Sequence, residues 1–203
     1  MARQTKENAE KTRISIIYAA LKLFHCKGYV STTLNQIAEE AGVTRGAVYW
    51  HFDDKVKIFE AIEDEVYRKI DVDFMTLLTK PINSLDEIKQ MIINYLQYFE
   101  KDQDFKRYYE MVHFKMEWNE EFDYLFKKEQ AFYNTMIKVL KKSFVKLQKK
   151  GIIRPELKPE TTIVMVGALV AGLIETWLFA PGSFSLTNDL PSMLDTFFYG
   201  IKL

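Results

Sequence analysis

The chain has 203 residues, 48% of them hydrophobic and 14% aromatic, enough apolar material for one or two folded domains and too much for a disordered chain. Lys and Arg number 28 against 28 Asp and Glu, so the global basic excess of a protein that coats nucleic acid is missing. The single cysteine, Cys26, excludes an internal disulfide framework and fits a reducing compartment. With Gly and Pro scarce and no alternating strand runs, an all-α fold of about nine helices is expected.

Residues 1–8 are polar, without the apolar stretch of a secretion signal, and are expected to form a mobile tail whose Arg3 and Lys6 reach phosphates. A first helix is predicted from about Asn8, with Ile14, Ile17, Leu21 and Phe24 on one stripe and Lys27-Gly28 closing it. Next, Leu34, Ile37, Ala38 and Ala41 mark one face of a short helix. Thr33 and Gln36 match a capping box at its start, and Gly42 suits a left-handed turn at its end. Thr44 then caps a second short helix running to about His51. Two short helices around a Gly-containing turn read as a helix-turn-helix, whose second helix enters the DNA major groove.

Asp53 or Asp54 opens a fourth helix, carrying Ile58, Phe59, Ile62, Val66, Ile70 and Phe74 to about Leu78. Its first half belongs to the reading head and its second reaches beyond, so it is expected to couple the two. The first clear break is 80–84, containing Pro81. Ser84 and Glu87 start a helix to about Glu100, another runs from Asp104 to near Trp118, and a long one from about Glu120 is stopped by Gly151. Residues 160–180 form an apolar helix of nearly membrane-spanning length. Glu175 inside it argues for a water-soluble chain, with the helix covered on both sides and no membrane contact. A last helix spans about 190–201. Residues 1–57 hold nine Lys/Arg against six Asp/Glu, a net of +3, and the remainder 19 against 22, a net of −3. One end alone is expected to dock on DNA.

The run Thr44-Arg45-Gly46-Ala47-Val48-Tyr49-Trp50-His51-Phe52, with Lys55 and Phe59 beyond it, resembles the signature of TetR/AcrR-family transcriptional repressors. The segments 113–118 (His-Phe-Lys-Met-Glu-Trp) and 172–181 resemble the regulatory half of the family's efflux-regulator branch. The resemblance implies a three-helix DNA-binding domain at 1–54 and a larger helical bundle for ligand binding and dimerisation at 55–203. It implies a cytoplasmic homodimer on palindromic operator DNA, with a hydrophobic small molecule as inducer and a multidrug efflux transporter as target. A metabolic operon, or control by a partner protein without a small ligand, are the alternatives.

Arg45, at the start of the reading helix, is the candidate for base readout, since a guanidinium forks onto guanine O6 and N7. Gly46 leaves room for close approach. By resemblance Thr33, Thr44, Tyr49, His51 and Lys55 hold phosphates. Trp50 is divided between core and DNA. Small residues Gly167, Ala168, Ala171 and Gly172 make 160–180, with 190–201, the candidate dimer surface. Four apolar stripes, Val66, Ile70 and Phe74; Tyr109, Val112, His113 and Met116; Tyr133, Met136 and Leu140; and Val166, Val170, Ile174 and Trp177, read singly as core, and the resemblance implies that together they wall a ligand cavity. Glu117 or His113 would orient the ligand. His113 and Glu117 also have metal spacing, but without a third ligand no metal or other cofactor is expected. No nucleophile motif or phosphate loop is present, and no enzyme is expected.

Overall fold

The computed structural model describes residues 2–69, 82–116 and 122–203. Among them are nine α-helices: α1 (Ala2–Lys27), α2 (Leu34–Ala41), α3 (Arg45–His51), α4 (Lys55–Lys69), α5 (Leu85–Lys101), α6 (Gln103–Glu110), α7 (Asp123–Lys149), α8 (Pro159–Phe179) and α9 (Leu190–Ile201). A π turn, Met111–Lys115, follows α6 directly. The expected all-α class is observed.

The described residues gather into two compact units, one of 2–69, 102–116 and 122–123, the other of 82–101 and 124–203. The first is larger than the expected reading domain 1–54, because α4 and α6 share a core with α1. Ile16, Ile17, Leu21 and Phe24 of α1 are fully or almost fully buried, with Ile37 of α2, Val48 of α3, and Ile58, Phe59 and Ile62 of α4. Tyr29, just past α1, sets its ring 5.0 Å from Phe24 and 4.8 Å from Phe122. Gly28 has φ +85°, and that left-handed turn swings Tyr29 inward.

A polar brace ties three helices of this unit. The Tyr18 hydroxyl of α1 donates to Glu65 of α4 at 3.3 Å, and the Arg68 guanidinium grips the same carboxylate at 2.8–3.2 Å. Lys69 lies over the Tyr18 ring at 4.7 Å and pairs with Asp104 of α6 at 3.1 Å. Burial alone would push the Glu65 carboxyl up, but Arg68 and Tyr18 outweigh it and hold it below its ordinary value. Burial likewise opposes the Lys69 ammonium, which Tyr18 and Asp104 raise above the usual lysine value.

Two expectations change here. The N-terminal segment is helical from Ala2, not a tail before Asn8; no Gly or Pro interrupts it, and Glu7–Lys11 and Glu10–Arg13 pairs support its turns. The helix expected from Asp104 to Trp118 leaves the α register at Met111, and Met116 is extended. A π turn carries one residue more than an α turn. Side chains beyond it therefore leave the stripe that 3–4 spacing assigns them.

In the second unit Ile88, Leu96 and Phe99 of α5, Phe144 and Leu147 of α7, Ile163 and Ile174 of α8, and Leu190, Leu194 and Phe198 of α9 form the core. The buried Ser143 hydroxyl accepts from the Ile82 amide at 3.0 Å. The chain end is clasped: Arg154 donates to the Ile201 and Gly200 carbonyls, and the Leu203 amide to Ile152. Helix α8 is not covered on both sides. It is long and apolar enough to cross a membrane, yet only 22% of its most apolar window is buried within the chain. One side holds Ile163, Val166, Leu173 and Ile174 inside; the other leaves Val164, Met165, Gly167, Ala168, Ala171 and Gly172 exposed, Val164 at 53% and Met165 at 57%.

Candidate nucleic-acid interface

The reading head is set by local chemistry at its two caps. The Thr33 hydroxyl accepts the Gln36 amide at 3.2 Å, while the Gln36 side chain accepts the Thr33 amide at 2.9 Å, closing the capping box. Gly42 ends α2 at φ +68° and sends its amide back to the α2 carbonyls, so the chain reverses without a Cβ clash. The Thr44 hydroxyl then accepts the Ala47 amide at 3.2 Å and starts α3. Within α3 only Val48 is buried. Val48 therefore pins the helix, Ala47 and His51 are half-buried, and Arg45, Gly46, Tyr49 and Trp50 are left for a partner.

Arg45 and Tyr49, one turn apart, stack together. The guanidinium lies 5.3 Å from the ring centre and donates to the phenol oxygen at 3.1 Å. Tyr49 is 45% exposed and Arg45 lies open beside it, and an Arg fork held this way loses less freedom on meeting a base edge. A Cβ at Gly46 would meet nothing closer than the Thr44 hydroxyl at 3.9 Å, so the protein's own packing does not demand glycine there. Trp50 is 73% exposed, which places it outside the core and resolves the choice that its sequence context leaves open. It is a candidate contact that hydrophobicity alone assigned equally to the interior.

His51 is half-buried, edge-on to Trp50 at 4.5 Å. Burial, then the Arg13 charge, push its pKa below 6.5, so near neutral pH it offers an N–H rather than a cation. Lys55 is half-buried too. Its ammonium donates to the Tyr29 carbonyl at 3.0 Å and the Val30 carbonyl at 3.4 Å, and lies 4.4 Å from the Tyr29 ring centre. It thus holds the turn leading to Thr33, a role that the sequence gives no sign of. A shallow polar cleft of about 270 Å³ adjoins His51, lined by Arg13, Asp53, Lys57 and Glu60 among others.

The expected ligand residues divide between the two units. In the first, Val66, Tyr109 and Val112 are buried and Met116 half-buried. His113 is exposed, turned out of their stripe by the π turn and stacked on Tyr109 at 4.0 Å. In the second, Leu140 and Ile174 are buried, Met136, Val170 and Trp177 half-buried, and Tyr133 exposed. Ile70, Phe74 and Glu117 lie outside the described residues. A cleft of about 520 Å³ in the second unit is bordered by other residues, including Ser84, Lys89, Ile152, Asp195 and Tyr199. Among the described residues no His, Cys, Asp and Glu group has metal-binding geometry.

Comparison with known proteins completes the assignment. Residues 16–62 match the tetR family of bacterial regulatory proteins, and residues 83–202 match the C-terminal region of MAATS-type transcriptional repressors. The HTH-type transcriptional regulator TtgR of Pseudomonas putida is 32% identical over 97% of this chain and 94% of its own. The probable HTH-type transcriptional regulator ArpR, also of Pseudomonas putida, is 34% identical over the same shares. Among solved structures, NalD of Pseudomonas aeruginosa, described as the secondary repressor of the MexAB-OprM multidrug efflux pump, superposes with a TM-score of 0.81. It is 29% identical, with 97% of this chain and 98% of that one covered. The chain belongs to the tetR family, and is a DNA-binding transcriptional repressor.

Proposed function

We propose that the protein binds a palindromic operator as a homodimer and leaves it when a hydrophobic small molecule binds, and that it controls a multidrug efflux transporter. The observation that carries the DNA half is the outward face of α3, where Arg45, Gly46, Tyr49 and Trp50 surround the single buried Val48 and lie open to solvent. Arg45 reads a guanine, and Gly46 admits the backbone close to the groove. Thr33, Thr44, Tyr49 and His51 hold phosphates and set register. Lys55, already fixed on the Tyr29 and Val30 carbonyls, meets a phosphate with little further loss of freedom. Residues 1–54 do the reading, and 55–203 bind ligand and dimerise.

One short helix reads few base pairs, so two copies are required, about 34–36 Å apart on the duplex. The uncovered side of α8 supports the pairing. A Cβ at Gly167 or Gly172 would meet nothing within 4 Å, and the neighbouring Val164 and Met165 are exposed. A second copy of α8 and α9 laid there closes a four-helix bundle and removes that apolar face from water. The efflux reading rests on the relatives, since NalD is described as a repressor of a multidrug efflux pump. Val66, Ile70, Phe74, Tyr109, Val112, His113, Met116, Glu117, Tyr133, Met136, Leu140, Val170, Ile174 and Trp177 are proposed for the inducer. The inducer shifts population toward a conformer with low operator affinity, by no more than its own preference for that conformer.

The test is a footprint over the region upstream of the protein's own gene at moderate salt, run beside a sizing column. A protected palindrome and a dimeric mass are expected. Protection without sequence preference, or a monomer, ends the proposal. Titration of apolar inducers with and without that duplex then tests the ligand half, where equal affinity in both would refute release.

A further inference from the structure

We infer that the π turn Met111–Lys115 grips the corner between α1 and α2, and that this grip sets the reading head's affinity for its operator. This rests on the DNA-binding reading above. It adds a second route into the head beside α4, made by three side chains, His25, Glu110 and Lys115, that have no assigned role in reading or ligand binding, although the same turn carries Val112 and His113.

Two side chains flanking and closing the π turn reach the last turn of α1. Glu110, immediately before it, places a carboxylate oxygen 2.5 Å from His25 Nε2. Lys115, its last residue, sets Nζ 3.0 Å from the His25 carbonyl and 3.2 Å from the same Nε2. One ring nitrogen cannot donate to a carboxylate and accept from an ammonium together. The consistent network has Nε2–H donating to Glu110 and Lys115 donating to the carbonyl, where a cation also suits the α1 C-terminus. The His25 and Glu110 side chains are 19% and 23% exposed, so the pair is sheltered yet close to solvent.

The corner that follows runs into the DNA face. Gly28 turns the chain, Tyr29 drives its ring into the core, and Lys55 holds the carbonyls of Tyr29 and Val30. Thr32 is buried and donates to the Gly28 carbonyl at 2.8 Å, and Thr33 caps α2. His25 to Thr33 is thus held by the π turn at one end and by Lys55 further on. A π turn is an α turn with one residue added, and its two registers are discrete. Relaxation to α register would move Lys115 by one position relative to Glu110, so both contacts to His25 cannot persist. The corner would then lose its outer anchor while its inner one remained.

The experiment uses the full-length protein with Glu110→Gln, Lys115→Met and the double variant, and two readouts. Amide hydrogen exchange is followed over residues 28–33, and binding is measured by anisotropy on a duplex from the protein's own upstream region and on a scrambled duplex. Expected are faster exchange at 28–33 and a loss of specific affinity of about five- to tenfold in each variant. The double variant should lose less than the product of the singles, scrambled-duplex affinity should hold, and the far-ultraviolet spectrum should be unchanged. Unchanged exchange at 28–33 in both single variants overturns the inference, as does unchanged specific affinity where the unaltered protein binds. Absence of specific binding by the unaltered protein refutes the operator reading instead, and exchange alone then decides whether the π turn holds the corner.

Discussion

Replacing Lys55 with Met separates two jobs that the structure assigns to one ammonium. Met keeps most of the apolar stem and removes the charge. The lost contacts are to carbonyls at 3.0 and 3.4 Å and to a ring centre at 4.4 Å. A hydrogen bond from a charged donor contributes about 1.5–3 kcal/mol when sheltered, and half-exposure brings that toward about 1 kcal/mol. The ring adds about 0.5 kcal/mol. A total of about 1.5 kcal/mol should lower Tm by about 3–6 °C in a chain of this length, measured by calorimetry at fixed protein concentration. The phosphate role has a separate signature: the slope of log affinity against log salt should fall by about one unit per contact. A Tm indistinguishable from that of the unaltered protein would refute the anchoring argument. A lowered Tm with an unchanged salt slope would remove Lys55 from the phosphate contacts and leave it as a fastening of the turn.

Arg45→Ala should lower affinity for the specific duplex by about 1–3 kcal/mol while scrambled-duplex affinity changes little, as competition anisotropy would register. Thr33→Ala and Thr44→Ala should each cost about 1 kcal/mol in urea unfolding, and Thr33→Ala the more because Gln36 loses its reciprocal partner. Glu65 is held below the ordinary 4.5 in the fold, so its contribution to stability is complete above that pH and is lost as pH falls through the folded value. The stability gap between the unaltered protein and Glu65→Gln should therefore be widest near neutral pH and shrink below pH 4.5. A gap independent of pH would mean that the brace acts by shape alone. Burial of His51 has the matching sign for a base: its pKa is depressed from 6.5, the unfolded chain binds the proton more readily, and stability falls as pH drops below 6.5.

The reading head was legible because its signals are local. Thr33, Gln36, Gly42 and Thr44 act within four residues of themselves, and caps of that kind depend little on what surrounds them. The last helix was legible for a similar reason, bounded by a Pro-containing break and a dense apolar period. The inward turn of Lys55 was not, since its partners are backbone carbonyls 25 and 26 residues earlier and carry no side-chain signature. The π turn was equally hidden. Its residues, Met-Val-His-Phe-Lys, would serve an α-helix, and contacts from Glu110 and Lys115 to His25 lie across 85 and 90 residues of chain. Hydropathy put Trp50 inside and outside with equal force, and only the placement of Val48 decided which side of α3 faces the core.

That single buried valine has a consequence for how such a protein can change. Where a helix owes its position chiefly to one buried side chain and two end caps, substitutions at its exposed positions carry little folding penalty. Arg45, Tyr49 and Trp50 can be exchanged in combination, and a library built at those three positions should remain foldable throughout. New base preferences are then open to the chain without passing through unfolded intermediates.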